Sequence, residues 1–178
     1  MIPYQTEFTS IYPQFAWIYP INKYLIFLLV LFVGLYIWIK FRDKFLDYLA
    51  ALTISQAIVT GLKMIIKIPR PVIGYSDYSF PSGHTAIAFT SALFLIFACR
   101  TLTLKFKRAG DGKQGESEEG KVTNVIVSLL LIFTAIVVAV LRVVVKAHYP
   151  VDVFAGIILA ILVTLPFRYY DVSTRRMK

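Results

Sequence analysis

The chain has 178 residues, of which 58% are hydrophobic and 16% charged, with a mean hydropathy of +0.70. A soluble domain carries roughly a quarter charged residues, so this composition excludes that class and points to a single-domain polytopic membrane protein. The net charge of +9 suits anionic headgroups and cytoplasmic loops rather than nucleic acid, and the single Cys99 excludes an intrachain disulfide or a cysteine metal cluster.

Residues 1–22 contain no Lys or Arg, so a cleavable signal peptide is not expected. Their Tyr, Phe and Trp residues, broken by Pro3, Pro13 and Pro20, suit an aromatic segment lying at the membrane interface. Apolar runs then predict five spans: Tyr24 to Ile39, Phe45 to Ile66, Thr85 to about Leu104, Val122 to Leu141, and Val151 to Phe167. All should be helices, because a lipid-facing segment must satisfy its own backbone hydrogen bonds. The second span is polar at Asp47, Gln56 and Lys63. Residues 109–121, AGDGKQGESEEGK, are Gly-rich and charged and are expected to form a flexible cytoplasmic loop. The predicted fold is an all-α membrane helix bundle over residues 1–178.

An odd number of spans puts the chain ends on opposite sides. Thirteen of the 19 Lys and Arg residues then share a side with the C-terminus, and six lie on the other. The positive-inside rule therefore predicts a cytoplasmic C-terminus and an N-terminus outside.

The outer loops hold the chemistry-bearing residues. Lys63 lies seven positions before Arg70-Pro71; Pro81-Ser82-Gly83-His84 opens the third span; Arg142, His148 and Asp152 form a third block. Each block alone has a plain structural explanation: a snorkelling lysine, a turn, a capped helix start, a capping pair. Together they place both histidines and three cations at span ends on one side. Lys63, Arg70 and Arg142 would make a cationic cradle for phosphate oxygens. Gly83 and the free N–H groups of the following helix favour the same anion. His148 and Asp152, four apart, share a helix face, so the carboxylate can hold one ring nitrogen as N–H and leave the other free to attack. His84 is then available as the acid for a leaving oxygen. Nucleophile, orienting carboxylate, acid and clamp describe phosphoryl transfer without a metal. Lys67 and Lys146 are given no role.

These blocks, KMIIKIPRP at 63–71, PSGH at 81–84 and RVVVKAHYPVD at 142–152, resemble the signature of the type 2 phosphatidic acid phosphatase family of integral-membrane lipid phosphatases. The resemblance covers about residues 45 to 167. Leu141 stands where the family usually has Ser. By position, the resemblance implies that His148 attacks phosphorus and becomes a phosphohistidine, oriented by Asp152. His84 would protonate the departing group and later activate water. Lys63, Arg70, Ser82, Gly83 and Arg142 would bind the phosphoryl oxygens, with no metal or cofactor.

The resemblance further implies a phospholipid, glycolipid or polyprenyl phosphate substrate whose chains stay in the bilayer, and a place in a bacterial inner membrane with a periplasmic active site. Lipid A 1-phosphate is favoured; undecaprenyl pyrophosphate, phosphatidylglycerol phosphate and transfer to a second lipid are alternatives. A transporter is the reading from another class, but transport paths put polar groups near the midplane, whereas these gather at one surface. The predicted orientation is checked by Ile2→Cys: a membrane-impermeant thiol reagent should label it from outside, and labelling from the cytoplasmic side alone would reverse the topology.

Overall fold

Each apolar run lies within an α-helix in the computed structural model, which describes residues 18–71, 77–108 and 118–176. The helices are α1 (Ile18–Lys40), α2 (Phe45–Ile66), α3 (Gly83–Arg108), α4 (Glu118–Val144) and α5 (Pro150–Arg176), with a short 3-10 turn at Arg42–Lys44 before α2. No strand occurs among the described residues. The predicted all-α class is borne out.

The helices outrun the apolar runs at several ends. Helix α1 begins at Ile18, inside the stretch expected to lie at the interface, and Pro20 falls in its first turn. There a missing N–H costs nothing, because the first four N–H groups of a helix have no intrahelical partner. Helix α4 starts at Glu118 rather than after Lys121. The rest of the expected interfacial segment, residues 1–17, and of the expected loop, residues 109–117, lie outside the described residues.

Helix α3 packs against all four others, which surround it in the ring order α1, α2, α5, α4. Its sequence explains that position. Ala86, Ala88, Ala92 and Ala98 are buried along it, and small side chains let neighbouring backbones approach closely. Its hydroxyls find partners across the bundle: Ser91 Oγ lies 3.0 Å from the Tyr48 hydroxyl, and Thr90 donates to Ser55 Oγ at 3.3 Å. Buried hydroxyls need such partners in an apolar setting.

The outer helices turn large apolar side chains outward, among them Phe27, Leu129, Phe133, Phe154 and Leu162, each more than half exposed. So much exposed apolar surface has lipid as its natural solvent. The stretches Arg42–Ile66, Val122–Val144 and Pro150–Tyr169 are long and apolar enough to cross a membrane, while α1 and α3 carry shorter apolar stretches, Tyr24–Lys40 and Gly83–Cys99. Being enclosed, α3 meets little lipid and needs less apolar surface.

Asp47, which gave the second span its polar character, pairs with Lys44 at 3.4 Å near the start of α2 and is 42% exposed. The buried charged groups described, Arg142 and Asp152 with the titratable His148, instead gather at one end of the bundle. At that end α2 and α4 finish and α3 and α5 begin.

Close contact between α3 and α5 depends on Gly156. A Cβ built there would sit 2.8 Å from the Ser82 carbonyl oxygen and 3.2 Å from Ala86 N, and backbone cannot give way as a flexible side chain can. Gly156→Ala is expected to force the two helices apart, with a loss of about 2 kcal/mol in stability. Thermal unfolding in detergent measures that loss, and an unchanged midpoint would show that the helices have slack at this crossing.

Candidate active site

The polar end of the bundle is assembled by three turns. Helix α2 closes with Lys67 in the left-handed region (φ 55°), its N–H donating to the Lys63 carbonyl. Past the end of α2 the chain brings in Arg70, and Ser79 N donates to the Ile68 carbonyl at 2.8 Å, drawing together the two ends of the loop that bears Arg70 and Asp77. The second turn, Pro81-Ser82, opens α3. The third follows α4, where the N–H groups of Ala147 and His148 both donate to the Arg142 carbonyl, at 3.1 and 3.2 Å.

Asp152 joins the second and third turns. It occupies the first turn of α5, and one carboxylate oxygen, Oδ2, accepts the Tyr149 N–H at 2.9 Å and lies 3.3 Å from His148 Nδ1. Its carbonyl accepts the Ser82 N–H at 2.9 Å. The pair thus caps a helix and orients an imidazole through the same oxygen, so the structural and functional explanations of its spacing hold together.

The His148 tautomer follows from its other neighbour. Arg70 Nη1 lies 3.2 Å from His148 Nε2, and a guanidinium has only donors. Nε2 must therefore be the acceptor with a free lone pair, and Nδ1 must carry the hydrogen given to Asp152. Burial pushes the His148 imidazole down to about 4, Arg142, Arg70 and Lys63 push the same way, and the bond to Asp152 opposes them. His148 therefore stays a neutral base through the physiological range.

A cavity of about 530 Å³ opens here, lined by Lys63, Arg70, Asp77, Gly83, His84 and His148 among others. It continues sideways into an apolar groove along α1 and α2, because Ile26, Gln56, Thr60 and Ile87 line both spaces. Of the sequence-predicted residues, Lys63, Arg70, Gly83, His84 and His148 face the cavity. Ser82, Arg142 and Asp152 do not line it and are buried. The Ser82 hydroxyl is 2.9 Å from Thr85 Oγ1, a bond between two buried side chains at the start of α3. Gly83 serves packing as well as access, for a Cβ there would press on Val59 at 3.3 Å.

The residue that sequence reasoning missed is Asp77. Its carboxylate takes two bonds from Arg70, Nε to Oδ1 at 2.9 Å and Nη2 to Oδ2 at 2.6 Å, and a third from Lys63 Nζ at 3.1 Å. Lys63 also donates to the Tyr78 carbonyl at 2.6 Å, and Arg70 to that of Ala147 at 2.9 Å. The one available signal was that Asp77 is the lone acidic residue between the first two blocks.

A cavity lined by two imidazoles, one with its lone pair directed by a buried carboxylate, beside a group of cations at the end of a lipid-facing bundle, has the groups that phosphoryl chemistry in a membrane calls for. A family model described as the PAP2 superfamily matches residues 44–176, and the chain belongs to that superfamily of lipid phosphatases. The resemblance drawn from the three sequence blocks is borne out. Two crystal structures share the fold. A transmembrane PAP2 type phosphatidylglycerolphosphate phosphatase from Bacillus subtilis has a TM-score of 0.65 and 19% identity over 91% of this chain and 80% of its own. Aquifex aeolicus LpxE has a TM-score of 0.56 and 22% identity over 85% of this chain and 83% of its own. No curated protein sequence matches the chain.

With two histidines in the chain, the imidazole titrations can be followed by NMR. In substrate-free protein the His148 ring should titrate near 4. Asp152→Asn, which removes the one influence favouring the charged ring, should lower it further. Titration at or above the ordinary 6.5 would contradict the tautomer and field described above.

Proposed function

We propose that this protein hydrolyses the phosphate of a membrane lipid phosphomonoester through a phosphohistidine, at the outer face of the membrane. The observation that carries the reading is His148, its Nδ1 turned to Asp152 and its Nε2 lone pair turned into the cavity beside Arg70. In the first step Nε2 forms a bond to phosphorus as the bond from phosphorus to the lipid oxygen breaks, and His84 gives its proton to that oxygen. In the second step His84 takes a proton from water, the water oxygen bonds to phosphorus, and the N–P bond breaks to release inorganic phosphate. Lys63, Arg70 and Arg142 carry the charge neutralisation from within the cavity and behind it, and no metal takes part. Gly83 and the start of α3 offer backbone donors to the same oxygens, and Ser82 holds that turn.

All five helices cross the membrane in this reading. Helix α3 is encircled by helices that span, and the 23 residues of α1 give about 34 Å of helix, enough for the hydrocarbon core. Residues 1–178 act as one domain, with N-terminus and site outside and C-terminus in the cytoplasm of a bacterial inner membrane. The lateral groove along α1 and α2 holds the lipid chains while the phosphate enters the cavity. Lipid A 1-phosphate or a similar glycolipid phosphate stands first as substrate. Phosphatidylglycerol phosphate and undecaprenyl pyrophosphate are the competitors in a phosphate-release panel.

The test is release of inorganic phosphate by purified protein in detergent, with capture of a labelled, acid-labile phosphohistidine. His148→Ala should abolish the covalent intermediate, and both His148→Ala and His84→Ala should lose about 10³-fold in rate. Asp152→Asn should lose about 10²-fold and Lys67→Ala less than about twofold. Full activity in both histidine variants would end this mechanism.

A further inference from the structure

Three cations, Lys63, Arg70 and Arg142, meet two carboxylates, Asp77 and Asp152, around the cavity. The two carboxylates differ in their freedom to leave. Asp152 is fully buried and engaged through its side chain and its carbonyl. Asp77 is 53% exposed at the side chain, whereas its partner Arg70 is 6% exposed and Lys63 17%. Its carboxylate therefore reaches in from the open side, and it leaves for water by breaking its bonds to Arg70 and Lys63. Burial pushes the Asp77 carboxyl up, but its bonds to Arg70 and Lys63 outweigh that and hold it below the usual carboxylate range, so it stays ionised. The cations behind it lie too deep to be left without an anion.

Asp77 holds Arg70 through the paired geometry that a guanidinium also uses for two phosphate oxygens. An incoming phosphate cannot have those donors while Asp77 keeps them. The charge count sets the terms of exchange: with Asp77 withdrawn, three cations and Asp152 leave a surplus of two positive charges, the complement of a phosphomonoester dianion. A phosphodiester headgroup carries one negative charge and balances half of it.

We infer that Asp77 is a specificity-determining residue, an internal anion seated in the phosphate cradle that yields to a dianionic phosphomonoester and keeps out the monoanionic phosphodiester lipids abundant in the surrounding bilayer. The inference rests on the lipid phosphatase reading of this site. It gives the resting enzyme a filled cradle in a membrane where anionic headgroups are always present.

The test uses the full chain in detergent micelles at about pH 8, where phosphate is chiefly the dianion. Inorganic phosphate binding is read by calorimetry, and phosphatidylglycerol is added as a phosphodiester competitor. Asp77→Asn should bind phosphate roughly tenfold more tightly than wild type, and phosphatidylglycerol should displace phosphate from the variant but not from wild type. Asp77→Glu, which restores the carboxylate, should return both readouts toward wild type. Weaker or unchanged phosphate binding in Asp77→Asn would make Asp77 a strut that positions Arg70 and overturn the inference. So would phosphatidylglycerol competing equally with both proteins. Either result leaves the phosphatase reading intact if wild type still releases phosphate. A wild type that binds phosphate but hydrolyses no lipid phosphomonoester sinks that reading instead, while the binding comparison still decides what Asp77 does.

Discussion

A single buried carboxylate organises the polar end of this bundle. Asp152 is fully buried, where a charge is costly unless hydrogen bonds offset its desolvation. Its carboxylate makes them through one oxygen: Oδ2 meets the first turn of α5 and the imidazole of His148, while Oδ1 has no partner, and the backbone carbonyl separately accepts from Ser82 ahead of α3. These bonds fix two turns relative to each other and select which nitrogen of His148 presents a lone pair. Gly156, one helical turn further along α5, removes the Cβ that would keep α3 from coming this close.

The second constraint is electrostatic. Lys63, Arg70 and Arg142 come from three segments that would repel one another in an apolar medium, and the fold brings them together because anions sit among them. Asp152 is a permanent member of that arrangement and Asp77 an exchangeable one. A site built to bind a dianion has to be stable before the dianion arrives. An ionised side chain that reaches in from the exposed side meets this requirement without blocking later exchange.

The membrane setting gives the site its shape. Large apolar side chains face outward around the ring of α1, α2, α5 and α4, while the small and hydroxyl-bearing α3 fills the centre. The cavity is thus polar at its floor and apolar at its side, where it continues into the groove along α1 and α2. A headgroup and its chains would meet these two surfaces without the lipid leaving the bilayer.

The sequence by itself determined the helices and named most of the polar residues that gather at one end of the bundle. Apolar runs of this length bounded by charge satisfy their backbone in lipid as helices, and the three polar blocks all fall at the ends of those runs on one side. Helix ends were less legible, because Pro20 in a first turn and the acidic start of α4 read as breaks in hydropathy although they are compatible with helix. Tertiary structure alone decided that α3 lies at the centre, that Ser82 and Arg142 stand behind the cavity rather than on its wall, and that Asp77 occupies the cradle. Hydropathy records how each residue partitions between water and lipid. It carries no information about which distant segment supplies a charge, a carbonyl or a missing Cβ, and those contacts exist only once the helices have packed.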